Sequence, residues 1–268
     1  MIGTVSDAED AVQETFIHFQ RSRDETIRNP RAYLVTIVTR LCLNHLQSAR
    51  VRREHYVGTW LPEPLPTGEG EDPFGIVRVD ESLSMALLLL LERLTPLERA
   101  VFILREVFDF SYAEIGTALG QTEIHCRQLF HRARGHVGDM RRRFETNREQ
   151  HEALVQRFAA AARNGDMNGL LTMLSADVQL VSDGGGKGGA VPNIIKGAEK
   201  VSRAIVLGMA HYVPREVTFR TAWINGEPGV VSYLNGRPFS AVVLETRDGG
   251  VEKIFVITNP DKLGHLNR

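Results

Sequence analysis

Residues 111–134, SYAEIGTALGQTEIHCRQLFHRAR, decide the fold of the first half of this chain. Ser111 and Glu114 have the spacing of a capping box, in which each residue satisfies a free N–H group of the other at the start of a helix. Gly120 then marks the end of that helix, and Thr122 can cap a second helix after a short turn. The pattern predicts a helix-turn-helix.

The second helix of this unit has two contrasting faces. Helical spacing predicts an inward seam of Cys126, Phe130, Ala133 and Val137. Arginine and glutamine on the opposite face can read base edges in the major groove, while the other cations meet phosphates. An ordinary helical hairpin with a solvated face is the alternative. The predicted DNA-facing residues are His125, Arg127, Gln128, His131, Arg132 and Arg134.

Composition supports a folded protein and excludes several classes. The 268 residues are 43% hydrophobic and 24% charged, which allows a buried core. The apolar run 86–91 is far too short to cross a bilayer, and two cysteines suggest neither a disulfide framework nor a metal site. We therefore expect a cytoplasmic protein without a cofactor.

Charge is segregated although the net charge is only −1. Residues 21–53 and 127–148 are basic, and residues 62–82, between them, are acidic. Two basic blocks on one chain suggest two contacts with a polyanion, and solvated helix faces are the alternative.

Periodicity predicts an all-α first part and an α+β second part. Helices are expected at 6–20, with Ser6 in a capping box and Ala8, Val12, Phe16 and Phe19 on one face, and at 31–53. Prolines between 60 and 66 break the helical pattern and predict a semi-extended linker. Beyond it we expect four helical segments in 76–144, helices at 152–162 and 167–174, and an antiparallel meander of strands at 217–224, 230–234, 239–246 and 251–258.

Four segments carry a resemblance to a known family. DAEDAVQE at 7–14, NPRAYL at 29–34, NHLQSARVRRE at 44–54 and LTPLERAVF at 94–102 resemble extracytoplasmic-function (ECF) RNA polymerase sigma factors. WLPEP at 60–64, DGGGK at 183–187 and NPDKL at 259–263 look like the motifs of a subgroup with a C-terminal SnoaL-like domain.

The resemblance implies a multidomain protein. Its parts would be sigma domain 2 at 1–56, a linker at 57–79, sigma domain 4 at 80–146 and a SnoaL-like cone-shaped α+β domain at 150–268. Family members usually begin with a further helix, so domain 2 is expected to be N-terminally incomplete.

The resemblance also implies partners, namely core RNA polymerase and promoter DNA. Asp7, Asp10 and Glu14 would contact the polymerase, although acids near a helix N-terminus also fit the helix dipole alone. The second helix would read the −10 element, and the helix-turn-helix would read the −35 element. The predicted −10 residues are Asn44, Gln47, Arg50, Arg52 and Arg53.

The linker suggests control in cis. Trp60 and Leu61 are large apolar groups on a stiff proline strip, so we expect them to dock on the C-terminal domain. Glu63 is expected to face Lys187 or Lys262, and Asp183, beside glycines, is expected to be exposed. The predicted regulatory residues are Trp60, Leu61, Pro62, Glu63, Pro64, Asp183, Lys187, Asn259, Asp261 and Lys262.

The sequence thus predicts a sigma factor rather than an enzyme. A one-component helix-turn-helix regulator with a ligand-sensing SnoaL-like domain is the main alternative, and an unidentified small ligand could occupy that domain in either case. A cyclase or isomerase fused to a DNA-binding domain, and a structural adaptor, are further alternatives.

Overall fold

A computed structural model describes residues 1–22, 27, 29–54, 56–67, 84–137 and 148–267, without the side chains of 47–54 and 86. The chain forms two compact units. The first comprises Met1–His55 and Leu88–Gly138, and the second comprises Tyr56–Leu87 and Asp139–Arg268. The start of the predicted linker therefore folds with the C-terminal half of the chain.

The first unit is helical, as predicted. Four helices between Met85 and Val137 correspond to the four helical segments expected between 76 and 144. The helices are α1 (Val5–Arg21), α2 (Pro30–Glu54), α3 (Met85–Arg93), α4 (Pro96–Glu106), α5 (Tyr112–Leu119) and α6 (Glu123–Val137).

Helix starts follow local capping chemistry. Thr95 and Glu98 form a full capping box at α4, with Pro96 as the first helical residue. At α1 the N-cap is Thr4 rather than the expected Ser6. The Thr4 hydroxyl accepts a hydrogen bond from the backbone N–H of Asp7. The helix consequently begins one residue earlier than predicted.

The apolar face predicted for α1 is mostly exposed. Ala11 and Thr15 are the buried residues of this helix, whereas Val12 and Phe16 are 48% and 54% exposed. The reason is that α1 packs against α2, and that contact covers the side of Ala11 and Thr15. An exposed apolar strip remains on α1.

In its described residues from 148 onward, the second unit combines three helices with a six-stranded sheet in the order β2-β1-β6-β5-β4-β3. The predicted meander is confirmed as β3 to β6, while β1, which pairs parallel with β6, and the helix α9 were not predicted. The elements are α7 (Arg148–Asn164), α8 (Met167–Met173), β1 (Leu174–Asp183), β2 (Ile195–Lys196), α9 (Ala198–Tyr212), β3 (Thr218–Ile224), β4 (Glu227–Leu234), β5 (Arg237–Arg247) and β6 (Gly250–Ile257). Short 3-10 turns follow at Pro260–Lys262 and Gly264–Leu266.

Both faces of this sheet are buried. One face carries Leu180, Val230, Leu244 and Ile254 and packs against the three helices. The strand register places Asp183, Ile257, Ala241 and Val231 in one row of the other face, and all four are at most 1% exposed. An apolar face buried this completely needs a cover other than the three helices.

Within the described ranges no helix is long and apolar enough to span a membrane.

Candidate DNA interface and linker anchor

The helix-turn-helix is built by α5 and α6. Ser111 and Glu114 form the predicted capping box, and Gly120 adopts a left-handed conformation with φ 66° at the end of α5. Gly116 is required by the turn, because a Cβ there would lie 2.6 Å from the carbonyl oxygen of Gln121. These contacts fix where α6 leaves α5, and they confirm the structural part of the prediction.

Helix α6 rests on a compact apolar core. Cys126, Leu129, Ala133 and Val137 are buried, and Phe130 packs at the edge of the same core. The expected inward seam is correct apart from Leu129, which the sequence analysis missed and which is more deeply buried than Phe130.

The outward side of α6 is a cationic and polar surface. Arg127, Gln128, His131 and Arg132 line one shallow depression on it. Arg127 is 2.7 Å from Glu123 and stacks 4.8 Å from the centre of the Tyr112 ring. These partners hold the arginine on the outer side of the helix, where it is 61% exposed.

The remaining predicted DNA-facing residues flank this depression. His125 is within 2.8 Å of the Gln121 side-chain oxygen, whereas Arg132, which lines the depression, is 3.5 Å from Glu98. Arg134 is exposed. The predicted set therefore lies on or beside the exposed side of α6, which is the arrangement that a groove-reading helix needs.

The predicted −10 residues lie on α2. Asn44 is exposed, and the side chains of Gln47, Arg50, Arg52 and Arg53 fall outside the described residues. On α1, Asp10 and Glu14 are exposed, while Asp7 lies 3.3 Å from the His45 imidazole.

Helix α2 packs against the helix-turn-helix within the first unit. Val35 adds to the apolar core of α4, α5 and α6. The Arg31 guanidinium sits 5.2 Å from the Phe110 ring centre, and Arg40 donates from Nε to the Ala118 carbonyl over 3.3 Å. The two helices predicted to read DNA thus belong to one body.

The linker is anchored on the C-terminal sheet through Asp183. This carboxylate accepts from the Tyr56 hydroxyl over 2.6 Å, from the Leu61 backbone N–H over 2.8 Å and from Lys262 Nζ over 2.6 Å. Its own loop adds the Gly185 N–H at 3.1 Å. Since Asp183 is fully buried, its charge depends on these four donors.

Lys262 completes this anchor. The ammonium group also donates to the Leu61 carbonyl oxygen, and it lies 4.1 Å from the Trp60 ring centre. Asn259 donates to the Tyr56 hydroxyl over 2.8 Å. Burial, with the neighbouring Asp183 carboxylate, raises the pKa of Tyr56, so the phenol stays a neutral donor. The three separated motifs therefore meet at one buried site.

A second contact lies where β3 turns into β4. Asn225 accepts from the Leu65 backbone N–H over 2.9 Å and donates to the Glu63 carbonyl over 3.2 Å. Pro66 forms an antiparallel bridge with Ile224, and the Thr67 N–H donates to the Trp223 carbonyl over 2.9 Å. This part of the linker behaves as a short extra strand at the sheet edge.

A third contact involves a buried acid. Glu227 is 8% exposed, and one of its carboxylate oxygens is buried without a hydrogen-bond partner among the described residues. Burial, with the nearby Glu245 carboxylate, raises the pKa of Glu227 to about 8, and a backbone hydrogen bond from Met85 opposes that shift. Met85 is itself fully buried, so the first residue of α3, which follows the predicted linker, touches the sheet at this position.

One expectation about the linker is wrong. Asp183 is buried rather than exposed, because it ends β1 under the linker. Glu63 lies 4.0 Å from His265, Lys187 pairs with Asp261 at 2.5 Å, and Lys262 pairs with Asp183.

The sequence analysis missed Tyr56, Asn225 and Glu227 as linker contacts. Tyr56 precedes the proline strip by four residues, and its aromatic neighbour Trp60 offered the only local hint. Asn225 stands in an Asn-Gly turn between two strands, and that local role gives no sign of its contact with the linker. The expected docking of Trp60 and Leu61 is present, with Leu61 fully buried.

Comparison with known proteins shows what the chain resembles. The family models Sigma-70 region 2 and Sigma-70, region 4, match residues 1–52 and 84–137. The ECF RNA polymerase sigma factor SigJ of Mycobacterium tuberculosis is 37% identical, with 98% of this chain and 87% of SigJ covered. The probable ECF RNA polymerase sigma factor SigI of the same species is 33% identical, with 99% and 89% covered. The crystal structure of SigJ matches with a TM-score of 0.77 at 35% identity, covering 97% of this chain and 90% of that one.

Proposed function

Since this chain belongs to the ECF RNA polymerase sigma factor family, we propose that it recruits core RNA polymerase to promoters and is controlled in cis by its C-terminal SnoaL-like domain. Helix α6 reads the −35 element and α2 reads the −10 element. Docking of residues 56–67 on the C-terminal sheet limits how far α2 and α6 can separate to contact the two promoter elements. We propose the domain limits expected from the sequence, with sigma domain 2 at 1–56, the linker at 57–79, sigma domain 4 at 80–146 and the SnoaL-like domain at 150–268.

The observation that carries the regulatory part is the anchor at Asp183. It joins the linker to the C-terminal domain through a buried ion pair and backbone hydrogen bonds on both sides of Leu61. A linker needed only as a tether would not bury two charged groups, since each loses several kcal/mol of hydration. Specific attachment, rather than simple tethering, is what this arrangement supports.

Docking changes the reach of the linker. Residues 56–67 are twelve residues, which could span about 40 Å if fully extended. While residues 56–67 are held against the C-terminal domain, they cannot extend to let α2 and α6 move apart. Because simultaneous binding of two sites depends on a tether that matches their spacing, docking controls promoter affinity without touching DNA.

Surface chemistry supports the two partners. The exposed cations of α6 suit phosphates and guanine edges. The exposed acids Asp10 and Glu14 on α1 suit a basic surface of the polymerase, and we propose that Asp7 contributes beside them. We place the protein in the cytoplasm with the polymerase, without a catalytic role. An unidentified small ligand in the C-terminal domain remains a prediction.

The basic test is promoter-specific initiation. The purified full chain is mixed with its own core RNA polymerase and a promoter from upstream of its own gene, and run-off transcripts are measured. We expect co-purification with the core enzyme and transcripts from one start site. A protein that binds the DNA but never the core enzyme would instead be a one-component regulator.

The regulatory test uses Trp60→Ala in the same assay. Removing the indole deprives Lys262 of its contact with the Trp60 ring and leaves its contact with the Tyr56 ring, and we expect altered transcript yield with both units still folded. Trp60→Phe is the matched control, because it keeps an aromatic face for the ammonium group. Equal yields from Trp60→Ala and the unaltered chain, at equal core-enzyme binding, would remove the support for control by docking.

A further inference from the structure

One exposed aliphatic side chain stands in the middle of the DNA-facing side of α6. Ile124 is 71% exposed, more than any other large hydrophobic residue in the described part of the chain. At 3.6 residues per turn, Ile124 and Gln128 lie about 160° and 200° around the helix axis from the buried Cys126. Ile124 therefore points directly away from the apolar core, in line with Gln128 and His131.

Folding does not explain this residue. Its neighbours on α6 that serve the core are deeply buried, and Ile124 belongs to the opposite side. Leaving such a side chain in water forgoes the roughly 1.5–3 kcal/mol that its full burial would bring. The exposed side chain of Ile124 would be stabilised by contact with a partner that has a small apolar surface.

The surroundings of Ile124 select that partner. Arg127 and Arg132 flank the row, and α6 bears Gln128 and His131 on the same side. A cationic surface of this kind attracts a polyanion rather than an apolar protein surface. In the major groove of DNA, the one apolar group on the base edges is the C5-methyl of thymine.

Position along the helix agrees with this. Ile124 is the second residue of α6, and the N-terminal residues of the second helix in a helix-turn-helix contact base edges. Further along the helix the cations are placed for the phosphate backbone. A residue in the first turn is the one that reaches the groove floor.

Resting on the proposed reading of the −35 element by α6, we propose that Ile124 is a specificity residue that packs on the C5-methyl group of one thymine. Ile124 selects thymine over cytosine at that position, whereas Gln128 and the arginines supply hydrogen bonds and charge. This assigns a role to a residue that carries no charge and makes no hydrogen bond through its side chain.

The test removes the methyl group from the DNA. Each thymine of the −35 element, on either strand, is replaced singly by deoxyuridine, which keeps the base-pairing edge and lacks only the methyl group. Affinity is measured with the full chain assembled on core polymerase. We expect one replacement to weaken binding about fourfold, the effect of removing one buried methylene-sized group.

Substitutions complete a double-mutant cycle. Ile124→Ala should weaken binding to the thymine promoter by a similar factor and should be indifferent to deoxyuridine at that position. Ile124→Val should keep part of the sensitivity. The matched control is Val107→Ala, another exposed aliphatic residue, which lies after α4 and should leave the deoxyuridine effect unchanged.

The outcomes separate this inference from the proposed function. Specific initiation with no deoxyuridine effect, or an effect that persists in Ile124→Ala, would overturn the role of Ile124 and leave the sigma-factor function intact. A −35 element without thymine would overturn it as well. Failure of the unaltered chain to initiate would instead refute the proposed function, and the inference with it.

Discussion

Replacing Asp183 by Ala should release the linker from the C-terminal domain. The substitution leaves Lys262, which is 5% exposed, without its carboxylate, and removes the acceptor of the Leu61 N–H. Removing one partner of a buried ion pair costs about 3–5 kcal/mol. If that cost falls on docking, the linker opens more often by a factor of about 10² to 10⁴.

Hydrogen exchange followed by mass spectrometry measures this opening in the full chain. The Leu61 amide reports on the Asp183 anchor, while the Thr67 amide, bonded to Trp223, reports on the sheet edge. The Ile115 amide, bonded to Ser111 in the other unit, is the internal reference. We expect faster exchange at Leu61, a smaller change at Thr67 and none at Ile115.

A double variant tests whether the charge pair is the cause. Combining Asp183→Leu with Lys262→Met removes both charges and keeps apolar volume, which is often neutral when a buried pair is replaced whole. Protection of the Thr67 amide should return toward that of the unaltered chain, whereas the Leu61 N–H, which has lost its acceptor, should still exchange faster. The reasoning would be refuted by an unchanged Leu61 amide in Asp183→Ala, or by a double variant as open as the sum of its parts.

Two further outcomes are expected. Glu227 has a pKa raised to about 8 from an ordinary 4.5, so the folded chain retains a proton that the unfolded chain loses, and stability falls as pH rises from about 4.5 to about 8. Glu227→Gln should remove that fall, roughly 4 kcal/mol between pH 5 and 8, in urea unfolding of the full chain. Gly116→Ala should lower the free energy of unfolding by about 1–3 kcal/mol and weaken promoter binding, because the new Cβ meets the Gln121 carbonyl. Gly135→Ala has open space around it and should leave the melting temperature unchanged or raise it.

Parallel slopes of stability against pH for Glu227→Gln and the unaltered chain would contradict the first of these expectations. Equal melting temperatures for the two glycine variants would contradict the second.

Local chemistry explains which parts of the fold the sequence predicted. The capping residues Ser111 and Thr95, with Gly120 as a stop, act within one helical turn and are readable from spacing alone. The turns at Asn225 and Asn235 likewise mark the hairpins of the meander, since both residues adopt positive φ.

Missed elements lack such signals. Helix α9 follows Gly197, which makes no side-chain cap, so nothing in its first turn announces a helix. Strand β1 pairs with β6, and their partners Leu180 and Ile254 are far apart in the chain. Local pattern cannot reveal a pairing of that range.

The candidate site likewise has features that follow from the local sequence and features that depend on residues far apart in the chain. The exposed side of α6, which we propose faces DNA, follows from helical periodicity, as the exposed Gln128 and Arg134 show. The burial of Asp183 depends on Lys262 and Tyr56, 79 and 127 positions away along the chain. Its glycine neighbours indicated a surface turn, because they report only on the local backbone.

The sheet of the second unit bears on one more property of the molecule. Residues that precede the helix-turn-helix in the chain contact its second face, since Leu61 bonds to Asp183 and Met85 bonds to Glu227, and both are fully buried. A protein cut before Arg148 would uncover these residues, and an isolated fragment starting there would expose an apolar sheet prone to sticking to copies of itself. The C-terminal domain is therefore not a detachable module, and truncation would disturb solubility and regulation together, whereas point substitutions at Asp183 or Trp60 separate them.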